Sequence, residues 1–425
     1  MSTLCVDVGS TWTKAALVSA AGEFVAGTQH PTTRPDVLDG VRAVTERLDA
    51  GEMEVLACSS AGGGLRLAVV GQERLISAEA GYRVALSAGA KVVHVAAGKL
   101  DGAGIRALRA AAPDVVLLTG GTDGGDEKVL LHNARRLAAN RIRPPIVLAG
   151  NASAKALALA ELRGTGRTVL ACPNVLPDVG ELAPEPARQA IREVFLRHVI
   201  GGKGLSRGSR FRRMVRAVTP DAVLAGVAAL ASARADAASS VLVVDVGGAT
   251  TDVYSAVSGA DDQPRRSVVL PPDRRTVEGD IGMRLSAQGL VAEAEAEGLL
   301  AAGETEKLAT AAAFRASHVD TVVTDAAEQR LAELAAVLAI RRHLRLTGGL
   351  GPRGAGLLVA SGGVFRHASS ARLAGLTAAL RRDPVLRPVL REAQIVVDRR
   401  YVLAPAGLLA EAGRTEAANR LLGTL

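Results

Sequence analysis

The sequence predicts an α/β protein of two similar halves, with a further α/β unit inserted in the first. Three observations predict it. A unit of strand, turn and strand carrying an acid and glycines occurs twice, at residues 4–17 and 241–254. Between the copies, helical and short apolar segments alternate as in βαβ units with a parallel sheet. Residues 357–365 form a third apolar strand that runs into a glycine pair, followed by a helical pattern over 369–380.

The second hairpin reads VLVVDVGGATTDVY. Val241 to Val244 are apolar and mostly β-branched, and Asp245 places a carboxylate where burial ends. Gly247 and Gly248 admit φ > 0 and carry no Cβ to hold a ligand away from backbone N–H groups. Ala249 and Thr250 complete the turn, and Thr251 and Asp252 add a hydroxyl and a second carboxylate. Such a unit offers donors to anionic oxygens and acids to a hydrated Mg²⁺. The first hairpin repeats the design with Asp7, Gly9, Ser10, Thr11, Thr13 and Lys14. Each piece alone is an ordinary strand end with a tight turn. The ordered set points to a ligand site.

In chain order, residues 23–27 read as another edge, 36–48 as a helix, and 53–59 and 65–70 as strands closing the first sheet around the turn Gly62-Gly63-Gly64. The inserted unit follows, with helices over 78–88, 102–112, 127–139 and 152–163 and strands over 91–95, 115–119, 146–149 and 168–171. Its most distinctive stretch, Thr119-Gly120-Gly121-Thr122-Asp123-Gly124-Gly125-Asp126, is either a strand-to-helix turn suited to an anion or carboxylate, or a glycine turn with Asp126 capping the helix. Asn133 is placed to orient toward that loop. Residues 173–186 are proline-punctuated loop, 185–199 a returning helix and 219–235 an alanine-rich helix. Residues 261–275 read as an exposed loop and 277–285 as a loop entering a helix. Helices over 285–298, 304–314 and 325–344 cap the second half. After the glycine-rich 347–356 come short strands over 395–398 and 401–404 and a terminal helix over 406–422.

At 425 residues and 48% hydrophobic content, the chain has material for two or three domains with ample core. Aromatics are only 2%, so Ala, Val and Leu must fill it. No apolar run reaches the length of a membrane span, and the sequence opens on a strand instead of a basic, then apolar, leader. A cytoplasmic protein is expected. Cys5, Cys58 and Cys172 read as buried free thiols, and the histidines show no pair at ligand spacing. Mg²⁺ is therefore the only expected metal. The net charge is +8, yet the arginines are spread and no aromatics interleave with them, which speaks against nucleic acid. The densest basic run, 197–216, reads as a solvated face or a docking surface for an acidic partner.

The order of hairpin, helix, hairpin and glycine-pair strand resembles the actin, heat-shock-70 and sugar-kinase superfamily of ATPases. The combination of CVDVGSTWTK, LLTGGTDGGDEKVLLHNARRLA, HVIGGKGLSRGS, VDVGGATTDVYS, VEGDIGMR and ASGGVFRH resembles, from about residue 4 to the C-terminus, the MutL/GlmL family of glutamate mutase accessory proteins. That family is unrelated to the mismatch-repair protein of similar name.

The resemblance implies two actin-like (ribonuclease H-like) ATPase lobes. Residues 1–75 would form the first, 76–218 the inserted α/β domain, and 219–425 the connecting helix with the second lobe. It implies ATP and Mg²⁺ as cofactors. Asp7 and Asp245 would hold the ion through its waters, with Asp252 supporting it or orienting the attacking water. Gly9, Ser10, Thr11 and Thr13 would bind phosphate oxygens and Lys14 would neutralise them. Gly247, Gly248, Ala249 and Thr250 would clasp from the other half. Gly279 and Asp280 would lie on the ribose side, Ser361, Gly362 and Gly363 would form the adenosine loop, and Gly62 to Gly64 would be chiefly a structural turn. Since positioning and electrostatics dominate phosphoryl transfer, no covalent nucleophile is required.

As partner, the resemblance implies adenosylcobalamin-dependent glutamate (methylaspartate) mutase, from which ATP would drive release of damaged cobalamin. A homo-oligomer is compatible with it. Two other classes stay open: a small-molecule kinase with Asp123 or Asp280 as base, and a filament-forming actin relative. The superfamily's iron–sulfur dehydratase activators are set aside, because Cys5, Cys58 and Cys172 lack cluster-ligand spacing.

Overall fold

In the computed structural model, the residues described are 2–61, 65–73, 76–88, 90–164, 166–195, 197, 205–206, 209–234, 240–256, 273–319, 321–350 and 353–425. The chain opens with β1 (Thr3–Val8), β2 (Trp12–Val18), β3 (Phe24–Pro31) and β4 (Glu54–Ser59). Next come β5 (Arg66–Gly71), β6 (Lys91–Ala97), β7 (Val115–Leu118), β8 (Ile146–Leu148) and β9 (Val169–Ala171). The rest are β10 (Val215–Val218), β11 (Ser240–Val246), β12 (Thr251–Ala256), β13 (Asp273–Glu278), β14 (Ala355–Ser361) and β15 (Gln394–Val397).

They form three five-stranded sheets. The first is ordered β10-β4-β1-β2-β3 and the second β13-β12-β11-β14-β15. Each has two antiparallel pairs on one side of its first strand and two parallel pairs on the other. Numbered within its own half, each sheet therefore reads 3-2-1-4-5. This duplicated order is the two-lobed actin-like α/β fold expected from the sequence. The third sheet, β6-β5-β7-β8-β9, is wholly parallel and reads 2-1-3-4-5, a doubly wound order.

Between the first two sheets lie the helices Thr219–Ala233, Leu403–Glu411 and Thr415–Leu422, in one apolar cluster with Cys5, Leu56, Val243 and Val359. The first two cross at glycines. A Cβ on Gly226 would lie 2.1 Å from the Leu403 carbonyl oxygen, and one on Gly407 1.7 Å from that of Ala222. Only glycine permits this approach. In the second lobe, helices Ala287–Ala296, Glu304–Ser317 and Ala326–Thr347 cover the sheet. Asp325 caps the last by accepting the Glu328 N–H.

Several expectations need correction. Residues 65–70 do not close the first sheet: β5 pairs with β6 and β7 at the heart of the third. Leu67 to Val70 are fully buried there, as a strand covered on both faces requires. The first sheet instead takes β10 as its outer strand, so the basic run ends in a strand with Val215 and Ala217 buried; residues 198–204 lie outside the described residues.

The loop expected over 261–275 lies outside the description up to residue 272, but Asp273 to Arg275 begin β13. Val277 and Glu278 belong to the same strand and not to a loop. Arg274 can be buried because its guanidinium donates to the carbonyls of Thr347 and Gly349. The segment 401–404 is no strand. Asp398 accepts the N–H groups of Val402 (2.8 Å) and Leu403 (3.3 Å), which starts a helix. The single terminal helix is broken in two, with Gly413 at φ +78° between them.

Asn133 does not face the Thr119–Asp126 loop: its amide bonds Leu100 N–H and Gly98 O, after β6. Asp126 is only a weak cap, accepting Lys128 N–H at 3.4 Å and Gln72 Nε2 at 3.2 Å. All three cysteines are buried free thiols, as expected. No described helix is long and apolar enough to cross a membrane.

Candidate functional site

The two hairpins close in the same way. Gly9 N–H donates to Trp12 O at 3.0 Å and Gly247 N–H to Thr250 O at 2.9 Å. A Cβ at either glycine would lie 2.6 or 2.8 Å from that same oxygen, so both turns need glycine. The register puts Asp7 opposite Lys14 and Asp245 opposite Asp252. Ser10 and Thr11 are exposed at the first turn, while Gly248, Ala249 and Thr250 are half-buried at the second.

The second turn is braced from behind. Gly247 O accepts Met283 N–H, Gly248 O accepts Arg284 N–H, and Ala249 O accepts the Ser286 hydroxyl at 2.6 Å. The segment holding Gly279 and Asp280 thus lies against the turn. Ser286 also reaches Gly279 O, and Asp280 is exposed and paired with Arg342 at 3.3 Å.

Thr13 is a correction. Strand alternation turns it into the first lobe, where its hydroxyl pairs with Thr32 at 3.2 Å and is not offered to the cleft. Thr251, its counterpart, is also fully buried. Ser361 is buried opposite Asp245 in the β11–β14 register. Gly362 has φ +106° and packs on β11, where a Cβ would sit 2.2 Å from Val246 O. Gly363 has open space at that position. Of the pair, only Gly363 leaves room for a ligand on its Cβ side. Gly62 to Gly64 lie outside the described residues.

Asp7 is 4% exposed and saturated with donors. The Thr219 hydroxyl and the Cys58 thiol (3.5 Å) donate to Oδ1, and the Tyr401 phenol donates to Oδ2 at 2.8 Å. Lys14 Nζ stands 3.8 Å from Oδ2 and 3.8 Å from the centre of the Tyr401 ring. Burial, with Asp7 adding to it, pushes the Tyr401 phenol up, so it stays a donor. Tyr401 holds this position with φ +55°, a strained conformation for an aromatic residue.

Asp245 has no hydrogen-bond partner among the described residues, whereas Asp252 is paired with Arg275 through Nε at 2.9 Å and through Nη2. Burial pushes the Asp245 carboxyl up to about 6; Lys14 opposes this, and the carboxylates of Asp252, Asp7 and Asp398 add to it. Three carboxylates drawn from both halves thus act on Asp245, with Lys14 and Arg275 beside the group. This excess of negative charge fits a divalent cation. No cluster of three or more His, Cys, Asp or Glu with direct metal-ligand geometry occurs among the described residues, so the fit is to an ion held through water and ligand oxygens.

Sequence reading missed Thr219, Tyr401, Arg275 and Asp398. A half-buried acid in β12 signals a cation somewhere, but nothing local tells which one.

The whole chain, residues 3–424, matches the family model described as MutL protein. It is 32% identical over 443 residues to Protein MutL of Clostridium tetanomorphum, covering 96% of each chain. Among solved structures, nucleotide-free acetone carboxylase aligns at 16% identity, over 88% of this chain and 67% of that one, with a TM-score of 0.38. A ROK family glucokinase from Streptomyces griseus in complex with glucose and AMPPNP aligns at 12% identity, over 99% and 98%, with a TM-score of 0.34. Nothing about activity follows from likenesses this distant. The full-length family match and the relative at one third identity establish that the chain belongs to the MutL protein family.

Proposed function

We propose that the chain is an ATP-binding accessory protein of adenosylcobalamin-dependent glutamate mutase, a Mg²⁺-dependent reactivating ATPase that exchanges damaged cobalamin. The observation that carries the nucleotide part is the meeting of two equivalent hairpins, one from each lobe, at one group of carboxylates around Asp245. The mutase as client rests on the family resemblance.

Ser10 and Thr11 from one turn and the amides of Gly248, Ala249 and Thr250 from the other receive phosphate oxygens. Lys14 neutralises their charge. Asp245, ionised above about pH 6 and without a hydrogen-bond partner among the described residues, orders water by accepting its hydrogen bonds. Mg²⁺, when bound, supplies charge neutralisation at the phosphates. Tyr401 and Thr219 hold Asp7 at the junction of the lobes, so a change in the terminal phosphate reaches both halves. Gly363 leaves space for the nucleoside.

The test is reconstitution. Glutamate mutase inactivated by bound hydroxocobalamin is mixed with this chain, excess adenosylcobalamin and Mg-ATP. Recovery of mutase activity that requires hydrolysable ATP is expected. Recovery equal without nucleotide, or none despite ATP turnover, would refute the reactivating role. A protein of cytoplasmic location follows from that client.

A further inference from the structure

A cavity of about 470 Å³ opens beside Asp7 and Lys14 and is walled by both lobes. β2 and β3 of the first lobe contribute Lys14, Thr28 and Gln29; the second lobe contributes Arg366, Arg399 and Arg400. Neither hairpin turn, 9–12 or 247–250, lines it. It therefore shares Lys14 with the proposed phosphate clasp but lies outside the two turns, and its own cations are the three arginines.

Its charge is one-sided. Several buried or half-buried arginines elsewhere in the second lobe sit on carboxylates: Arg315 on Glu328 and Asp325, Arg341 on Asp383, Arg342 on Glu278 and Glu293. Arg366, Arg399 and Arg400 have no carboxylate partner among the described residues. They are held by neutral groups instead. Arg399 Nη1 donates to Arg366 O at 3.0 Å, and Arg366 Nε donates back to Arg399 O at 3.3 Å. Arg366 stands 5.4 Å from the Tyr401 ring centre and Arg400 5.4 Å from that of Phe24. The guanidinium groups are thus positioned without an ion pair among the described residues. The cavity's one carboxylate, Asp7, already takes three hydrogen bonds and the Lys14 ammonium. Two further acids act on these cations without forming an ion pair: Asp398, fully buried and accepting the Val402 and Leu403 N–H groups, on Arg366 and Lys14, and Asp245 on Lys14. Four cations still outnumber the three acids, and Thr28 and Gln29 add neutral hydrogen-bonding groups.

We propose that this cavity is a second ligand site, for a small molecule carrying phosphate or carboxylate groups. Arginine forks match either group in two-point contacts. Because the cations come from both lobes, an occupant would draw the lobes together from beside the hairpins. The site goes beyond the nucleotide reading and stands or falls apart from it.

Titration calorimetry at low ionic strength tests it, with inorganic phosphate and succinate as probes added to the full chain holding saturating Mg-ADP. The same titrations on the nucleotide-free chain keep the test valid should Mg-ADP not bind. Saturable uptake of either probe is expected, and the tighter one identifies the chemistry. Arg399→Ala/Arg400→Ala should weaken uptake by about tenfold or more, Arg399→Lys/Arg400→Lys should retain it within about threefold, and Mg-ADP affinity should stay within about twofold in both. Arg400→Gln, at an exposed position without a backbone bond, should cost at least about threefold even if the double variant unfolds. No uptake of either probe, wild-type uptake in the alanine and glutamine variants, or loss of Mg-ADP binding together with anion binding would overturn the proposal.

Discussion

The first and second hairpins share a turn, a strand register and a glycine forced by the same close carbonyl, yet their acids live in different states. Asp7 faces a lysine across its hairpin and is gripped by donors from three other parts of the chain. Asp245 faces another aspartate, which Arg275 has already claimed, and is left with a raised pKa and no hydrogen-bond partner among the described residues. The difference teaches that duplication copied the scaffold and not the chemistry. The first acid fastens the lobes to each other, while the second is the one the proposed function gives to a hydrated cation.

If that division is right, Asp245→Asn should lower Mg-ATP turnover by about two to three orders of magnitude while leaving the fold intact. A steady-state phosphate-release assay reads it, and turnover within about twofold of wild type would merge the two roles. Next in size is Arg275→Leu. It strands the half-buried Asp252 carboxylate without its ion pair, at a cost on the order of 2 kcal/mol in urea unfolding. An unchanged midpoint would show that Asp252 is solvated.

The pH dependence separates the acids further. The folded Asp245 carboxyl lies near 6, above its ordinary 3.8. Its protonation therefore stabilises the ligand-free chain below about pH 4, and that contribution, on the order of 2 kcal/mol, is lost as pH rises through 6. Mg-ATP should bind more weakly on acidification through the same range. Asp245→Asn should remove both slopes, and melting curves from pH 4 to 8 with and without Mg-ATP measure them. The smallest effect is expected from Tyr401→Phe, which deletes one hydrogen bond to Asp7 and should cost about 1–2 kcal/mol of stability. Since Asp7 belongs to the fastening, turnover should fall less than in the Asp245 variant.

The hairpins were legible because strand, acid and glycine turn are local: the pattern lies within fourteen residues. The third sheet was legible as alternation, but not its start. β5 is an apolar run that suits the end of one sheet as well as the middle of another, and only pairing with β7 decides. Thr219 and Tyr401 were invisible for the same reason at longer range, since they reach Asp7 across 212 and 394 positions. Gly226 and Gly407 carry no turn signal at all. Their need for glycine arises from one helix crossing another.

The most direct test is calorimetric titration of Mg-ATP into the wild-type chain and its Asp245→Asn variant at pH 7.5. One nucleotide per chain for the wild type, with affinity at least about tenfold weaker in the variant, is the predicted result. No uptake by the wild type, or equal uptake by both, would contradict a nucleotide held between two hairpins with Asp245 as the free acid.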